Sequence, residues 1–137
     1  MGTRLNPYLI FDGSAREALE AYHVIFGGEL DLTTYLEGGL SRGTDDESLI
    51  MHGHLTAPSG FVLMGADAPP GDTVPSSSAV AISVSGDDEG ELRGYFDGLM
   101  DSGTVEMPLE RAPWGELFGQ GVDSFGVRWM VSVAQPA

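Results

Sequence analysis

PYLIFDGSAREALEAYHVIFGG, residues 7–28, decides the fold. Pro7 to Phe11 reads as a short apolar strand, and Asp12-Gly13 turns it. Ser14, with Glu17 three residues later, predicts a capping box. Ala18, Leu19, Tyr22, Ile25 and Phe26 have the spacing of one helical face, and Gly27-Gly28 supplies the left-handed stop. This first unit is strand then helix. Outward from it, Leu30 to Leu36 has the Thr and Tyr content of a strand, and the polar loop Gly38 to Glu47 separates it from a strand over Leu49 to Thr56. Pro58-Ser59-Gly60 then turns into Phe61-Val62-Leu63-Met64. The first half reads βαβββ.

The second half repeats that order. Ala79 to Ser85 reads as a strand, Asp88 and Glu91 as a second capping box, and Leu92, Tyr95, Phe96, Leu99 and Met100 as a helical face stopped at Ser102-Gly103. Thr104 to Leu109, Glu116 to Val122 and Val127 to Val133 are three further strands. The last strand of each half follows a turn glycine by the same interval, Gly60 to Met64 and Gly126 to Met130. The chain is therefore α+β, two βαβββ modules offset by roughly 70 residues. Residues 1–67 form the first module and 79–137 the second. Pro, Gly and Ser crowd residues 68–78, assigned as the linker.

The 137 residues carry six arginines and no lysine against 21 Asp and Glu, a net charge of −15. Such a surface repels polyanions, so nucleic acid and anionic membranes are excluded as partners. The 42% hydrophobic content is enough for a core, and the absence of cysteine removes disulfides, thiol nucleophiles and thiolate metal sites. No apolar run approaches the ~20 residues of a membrane span. Met1 to Asn6 lacks the apolar core of a signal peptide, so a cytoplasmic protein is expected. The acidity itself has two readings, a field that attracts cations or the composition of a salt-adapted or GC-rich host.

Asn6 to Gly13, Glu17 to Tyr22 and Phe26-Gly27-Gly28 resemble the opening of PhnB-like proteins of the vicinal oxygen chelate superfamily, which includes glyoxalases, bleomycin resistance proteins and dioxygenases. So do Met51-His52-Gly53-His54-Leu55 and the run from Trp114-Gly115 through Phe118-Gly119 to Asp123-Ser124-Phe125-Gly126-Val127-Arg128-Trp129. The resemblance spans nearly the whole chain, 1–137, as one domain of this type. It implies two curled sheets enclosing a cavity, a homodimer, and a small-molecule ligand. Some members carry methyltransferase-like names, but no glycine-rich loop follows the first strand to cradle a methyl-donor cofactor.

Enzymes of the superfamily hold a divalent metal with His, Gln and Glu on the first and last strands of the modules. The resemblance puts those positions at Pro7, Met64, Ala79 and Met130, none of them a hard-metal ligand. No metal or other cofactor is therefore expected there. His52 and His54, at i and i+2 on a strand, project from one face and are the candidate catalytic pair, as general base or as a two-histidine chelate. No carboxylate is fixed beside them by spacing. His23 is read as a surface residue.

Strand alternation proposes the rest of the cavity. Val80, Ile82 and Val84 pack on the second helix while Ala79, Ala81 and Ser83 face inward. The same parity puts Leu9 and Phe11 inward, with Tyr8 and Ile10 against the first helix, and points Arg128 and Met130 inward. Arg128 would favour an anionic ligand group or pair with a carboxylate such as Glu106 or Glu116. Trp114 and Phe118 are the candidate ligand-facing aromatics, and Asp123 caps its own turn. The leading reading is a metal-independent PhnB-like protein that binds a small organic molecule. Its rivals are a glyoxalase- or dioxygenase-like enzyme using His52 and His54, a bleomycin-type protein that traps cationic drugs, and an interaction module with a filled cavity.

Overall fold

Each half of the chain builds a four-stranded sheet with one helix on one face, and glycines on an inner strand let the helix approach. The computed structural model describes residues 2–74 and 79–134. The chain divides into two compact units, Met1–Ser76 and Ser77–Ala137. Residues 75–78 of the predicted linker lie outside the described residues.

The first unit contains β1 (Tyr8–Phe11), α1 (Ala15–Phe26), β2 (Glu29–Thr34), β3 (Ile50–Thr56) and β4 (Val62–Asp67). Its sheet runs β1-β4-β3-β2, with β1 parallel to β4 and the other pairs antiparallel. The second unit contains β5 (Ile82–Gly86), α2 (Glu89–Met100), β6 (Thr104–Arg111), β7 (Leu117–Val122) and β8 (Arg128–Val133). Its sheet has the matching order β5-β8-β7-β6. The two βαβββ modules are thus those predicted. Neither sheet closes on itself, β1 and β2 being the edges of one and β5 and β6 of the other.

In the first unit, Ala15, Ala18, Leu19, Tyr22 and Phe26 of α1 are buried. Leu19 sits over Gly53, where a Cβ would overlap its Cδ1, and near Gly65, where a Cβ would lie 3.6 Å away. In the second unit, Leu92, Phe96, Leu99 and Met100 of α2 are buried, and a Cβ on Gly121 would overlap Met100 Sδ while one on Gly119 would crowd Phe96. A side chain at these positions would hold the helix off the sheet and open voids beneath it.

Three local expectations are corrected. Ser14 makes no side-chain cap on α1. The N–H of Ala15 donates instead to Oδ1 of Asp67 at 2.9 Å, while Oδ2 of the same buried carboxylate accepts the N–H of Ile50 at 2.9 Å. An ionised oxygen accepts more strongly than a hydroxyl, so the distant Asp takes the helix start. Tyr35 donates its phenol to the Asp67 carbonyl at 2.7 Å. Burial, then the Asp67 charge, push that phenol's pKa up. Asp88, by contrast, does cap α2, accepting from the Glu91 N–H at 3.1 Å.

Second, β5 begins at Ile82, so Ala79 precedes it, and Val80 is 68% exposed rather than packed on α2. Third, the parity of β1 is the reverse of that expected. Phe11 is buried and lies 3.3 Å from the Cβ position of Gly65, on the α1 side. Leu9 shares that face by alternation, and Tyr8 and Ile10 point to the other, both about half exposed. The large Phe11 ring fills the room that Gly65 leaves under α1.

The loop from Gly38 to Glu47 is organised around Asp46. Its carboxylate accepts from the Ser41 hydroxyl at 2.8 Å and the Arg42 N–H at 2.9 Å. Those donors, the Arg42 N–H foremost, hold its pKa below the ordinary aspartate value.

Candidate functional site

Each module leaves one sheet face uncovered by its helix, and the polar side chains with chemistry to offer collect there. On the first sheet the cross-strand pairs Tyr8 with Met64 and His54 with Met64 put these side chains on one face. His52 joins them from β3, as its i, i+2 spacing from His54 predicts, and the two ring centres are 6.3 Å apart. The Tyr8 hydroxyl lies 3.2 Å from His52 Nδ1, and the Thr56 hydroxyl lies 3.4 Å from His54 Nδ1. Asp31 of β2 stands directly across from His54. The sequence reading placed no carboxylate beside the pair, because the irregular loop between β2 and β3 hides their register.

Leu9 and Phe11, expected to contact ligand, lie on the α1 side and are not part of this face. Tyr8, assigned to the helix, is. In β1 all four residues, Tyr8, Leu9, Ile10 and Phe11, are large and apolar or aromatic, so alternation carries no signal of which pair faces the helix. His23 donates from Nε2 to the Gly28 carbonyl at 2.9 Å, just past the end of α1, and stands apart from the face.

On the second sheet, Phe118 pairs with Ser132, Gln120 with Met130, and Ser83 with Met130. Arg128 and Met130 therefore share the helix-free face, as alternation predicts, while Trp129, Val131 and Val133 are buried under α2. Arg128 forms an ion pair with Glu106, and the Gln120 amide donates to the same Glu106 Oε1 at 3.0 Å. Trp114 is 63% exposed and meets Phe118 edge to face at 5.7 Å. The turn before β8 is held by Asp123, whose Oδ1 accepts the N–H groups of Phe125 at 2.9 Å and Val127 at 3.0 Å. Its Oδ2 accepts the Trp129 indole N–H at 2.9 Å.

A family model, Glyoxalase/Bleomycin resistance protein/Dioxygenase superfamily, matches residues 4–131. The chain belongs to this superfamily. Protein YjdN of Escherichia coli (strain K12) is 27% identical over 143 residues, covering 96% of this chain and 95% of that one. Protein PA1353 from Pseudomonas aeruginosa is 37% identical and superposes with a TM-score of 0.84 over 98% of this chain and 100% of that chain. A PhnB protein from Bacillus cereus is 26% identical, with a TM-score of 0.78 over 96% and 100% of the two chains.

The strand pairing sets Tyr8 beside Met64 and Ser83 beside Met130, while Pro7 and Ala79, the first-strand positions expected from the resemblance, precede β1 and β5. Met64 and Met130 offer thioethers, which suit soft ions rather than the hard divalent ions that take oxygen donors or imidazole. Among the described residues no three His, Asp or Glu side chains come together to hold a metal. Nor is any described helix long and apolar enough to cross a membrane.

Proposed function

We propose that this superfamily member binds a small organic molecule, as a homodimer and without the divalent metal of its enzymatic relatives. The observation that carries this reading is the helix-free face of the second sheet, where exposed Trp114 braces Phe118 and Arg128 is already paired with Glu106. Aromatic edges supply contact area at low entropic cost, and a few convergent polar groups orient a ligand. Because Glu106 offsets the guanidinium charge, the face suits a neutral or cationic ligand better than a carboxylate. Indole fluorescence titrated with a panel of aromatic compounds tests the reading. Saturable quenching in the wild type that is lost in Trp114→Ala supports it, and quenching identical in both proteins counts against it.

A second reading, sequestration of a cationic compound, is favoured by the net charge of −15. A field of that sign raises the capture rate of a cation and weakens as salt rises. Association rates that fall steeply with ionic strength support this version, and salt-independent rates oppose it. Catalysis would instead fall to His52 and His54, with Tyr8 orienting the His52 ring.

A further inference from the structure

We propose a soft monovalent metal site, of the Cu(I) class, formed by His52, His54 and Met64 on the helix-free face of the first sheet. This inference goes beyond the organic-ligand reading and does not rest on it. The three side chains share one face on two adjacent strands. His54 and Met64 are a direct antiparallel pair, which puts their Cβ atoms about 4.5–5.5 Å apart.

The ring contacts leave one nitrogen of each histidine for a metal. Both imidazoles meet their hydroxyl neighbours at Nδ1, His52 at Tyr8 and His54 at Thr56. Their Nε2 atoms remain as the donors a metal would take. A metal bonded at about 2.0–2.1 Å to one nitrogen of each ring separates the ring centres by about 5 Å at a tetrahedral angle and about 6.5 Å when the two bonds are collinear. The observed 6.3 Å, close to the ~6.4–6.8 Å that separates i and i+2 on any strand, falls within this range. Near-linear coordination with a weaker third ligand is the habit of d¹⁰ monovalent copper and silver, not of zinc.

The third donor decides between metals. Asp31 also stands across from His54, but no three His, Asp or Glu side chains among the described residues converge. That leaves the Met64 thioether, a donor that selects soft ions. Tyr8 occupies the outer position, fixing the His52 ring as carboxylates and carbonyls do around other metal-bound histidines. The net charge of −15 raises the local concentration of any cation.

Titrating the full chain with Cu(I) under anaerobic conditions, in competition with bicinchoninate, tests the site. The wild type withdraws one equivalent from the chelator, and the Met64 methyl resonance moves in a ¹³C-methyl spectrum. Tyr8→Phe binds about tenfold more weakly, Met64→Leu more weakly than wild type, and His52→Ala/His54→Ala takes none. Should the double variant not fold, Met64→Leu and the methyl resonance still decide. The proposal is overturned if no copper leaves the chelator, or if copper binds while the Met64 methyl stays fixed and Met64→Leu binds as tightly as wild type.

Discussion

The N–H of Ala15 at the start of α1 donates to the buried carboxylate of Asp67, 52 residues further along the chain, at 2.9 Å. One side chain thereby ties the first helix turn to the end of β4, and through Ile50 to the start of β3. Removing it leaves two buried N–H donors without their acceptor. Asp67→Ala is expected to cost about 2–4 kcal/mol, since each unsatisfied buried donor costs about 1–3 kcal/mol. Ser14→Ala, at the apparent N-cap, stays within about 0.5 kcal/mol of wild type, as a substitution that removes no native contact does. Asp88→Ala, which removes the working cap of α2, loses about 1 kcal/mol. Urea unfolding of the three variants checks the ranking.

Leu19 and Gly53 are expected to be energetically coupled. Leu19→Ala opens a cavity under α1 at about 2–5 kcal/mol. Gly53→Ala overpacks the same spot at about 1–3 kcal/mol. The double variant, in which the added methyl enters the vacated space, is less destabilised than the sum of the two. A double-mutant cycle measured by chemical denaturation reports the coupling directly.

Asp46 gives the loop before β3 a defined acid response. Its carboxyl pKa is depressed by the Arg42 N–H and the Ser41 hydroxyl. A group whose folded pKa lies below its unfolded value contributes stability above the unfolded pKa and loses it as pH falls through the folded pKa. The order of residues 41–46 is therefore expected to be retained at neutral pH and lost in that acid window. A carboxyl ¹³C titration should place the Asp46 midpoint below that of an unstructured peptide. Amide resonances of Ser41 and Arg42 should move with the same midpoint, and in Asp46→Asn that step should vanish.

Glu106→Gln is expected to change ligand preference. The substitution leaves the Arg128 guanidinium without its carboxylate. Binding of anionic aromatic compounds should then strengthen relative to cationic ones, read as a reversal of rank in a fluorescence titration series.

Much of the fold was legible because the sequence states it locally. The helical faces of α1 and α2 follow from apolar spacing, and the stops and turns from glycines such as Gly27, Gly60 and Gly126, with φ of 76°, 102° and 89°. The pairing of His52 with His54, and of Arg128 with Met130, followed from period-two alternation. What failed depended on long-range neighbours. The facing of β1 is decided by Gly65 on another strand, and the cap of α1 by Asp67. The position of Asp31 beside His54 depends on a register set across an irregular loop. Val80 fell outside β5 because strand propensity does not mark where pairing with β8 begins.

This chain is proposed to bind a small organic molecule without a divalent metal. The most direct test is the thermal shift of EDTA-dialysed protein across a compound library, with and without added Mn²⁺, Zn²⁺ or Mg²⁺. Stabilising compounds are expected to raise the midpoint equally in both conditions and to lose their effect in Trp114→Ala. Stabilisation that arises only after a divalent ion is restored would contradict the proposal.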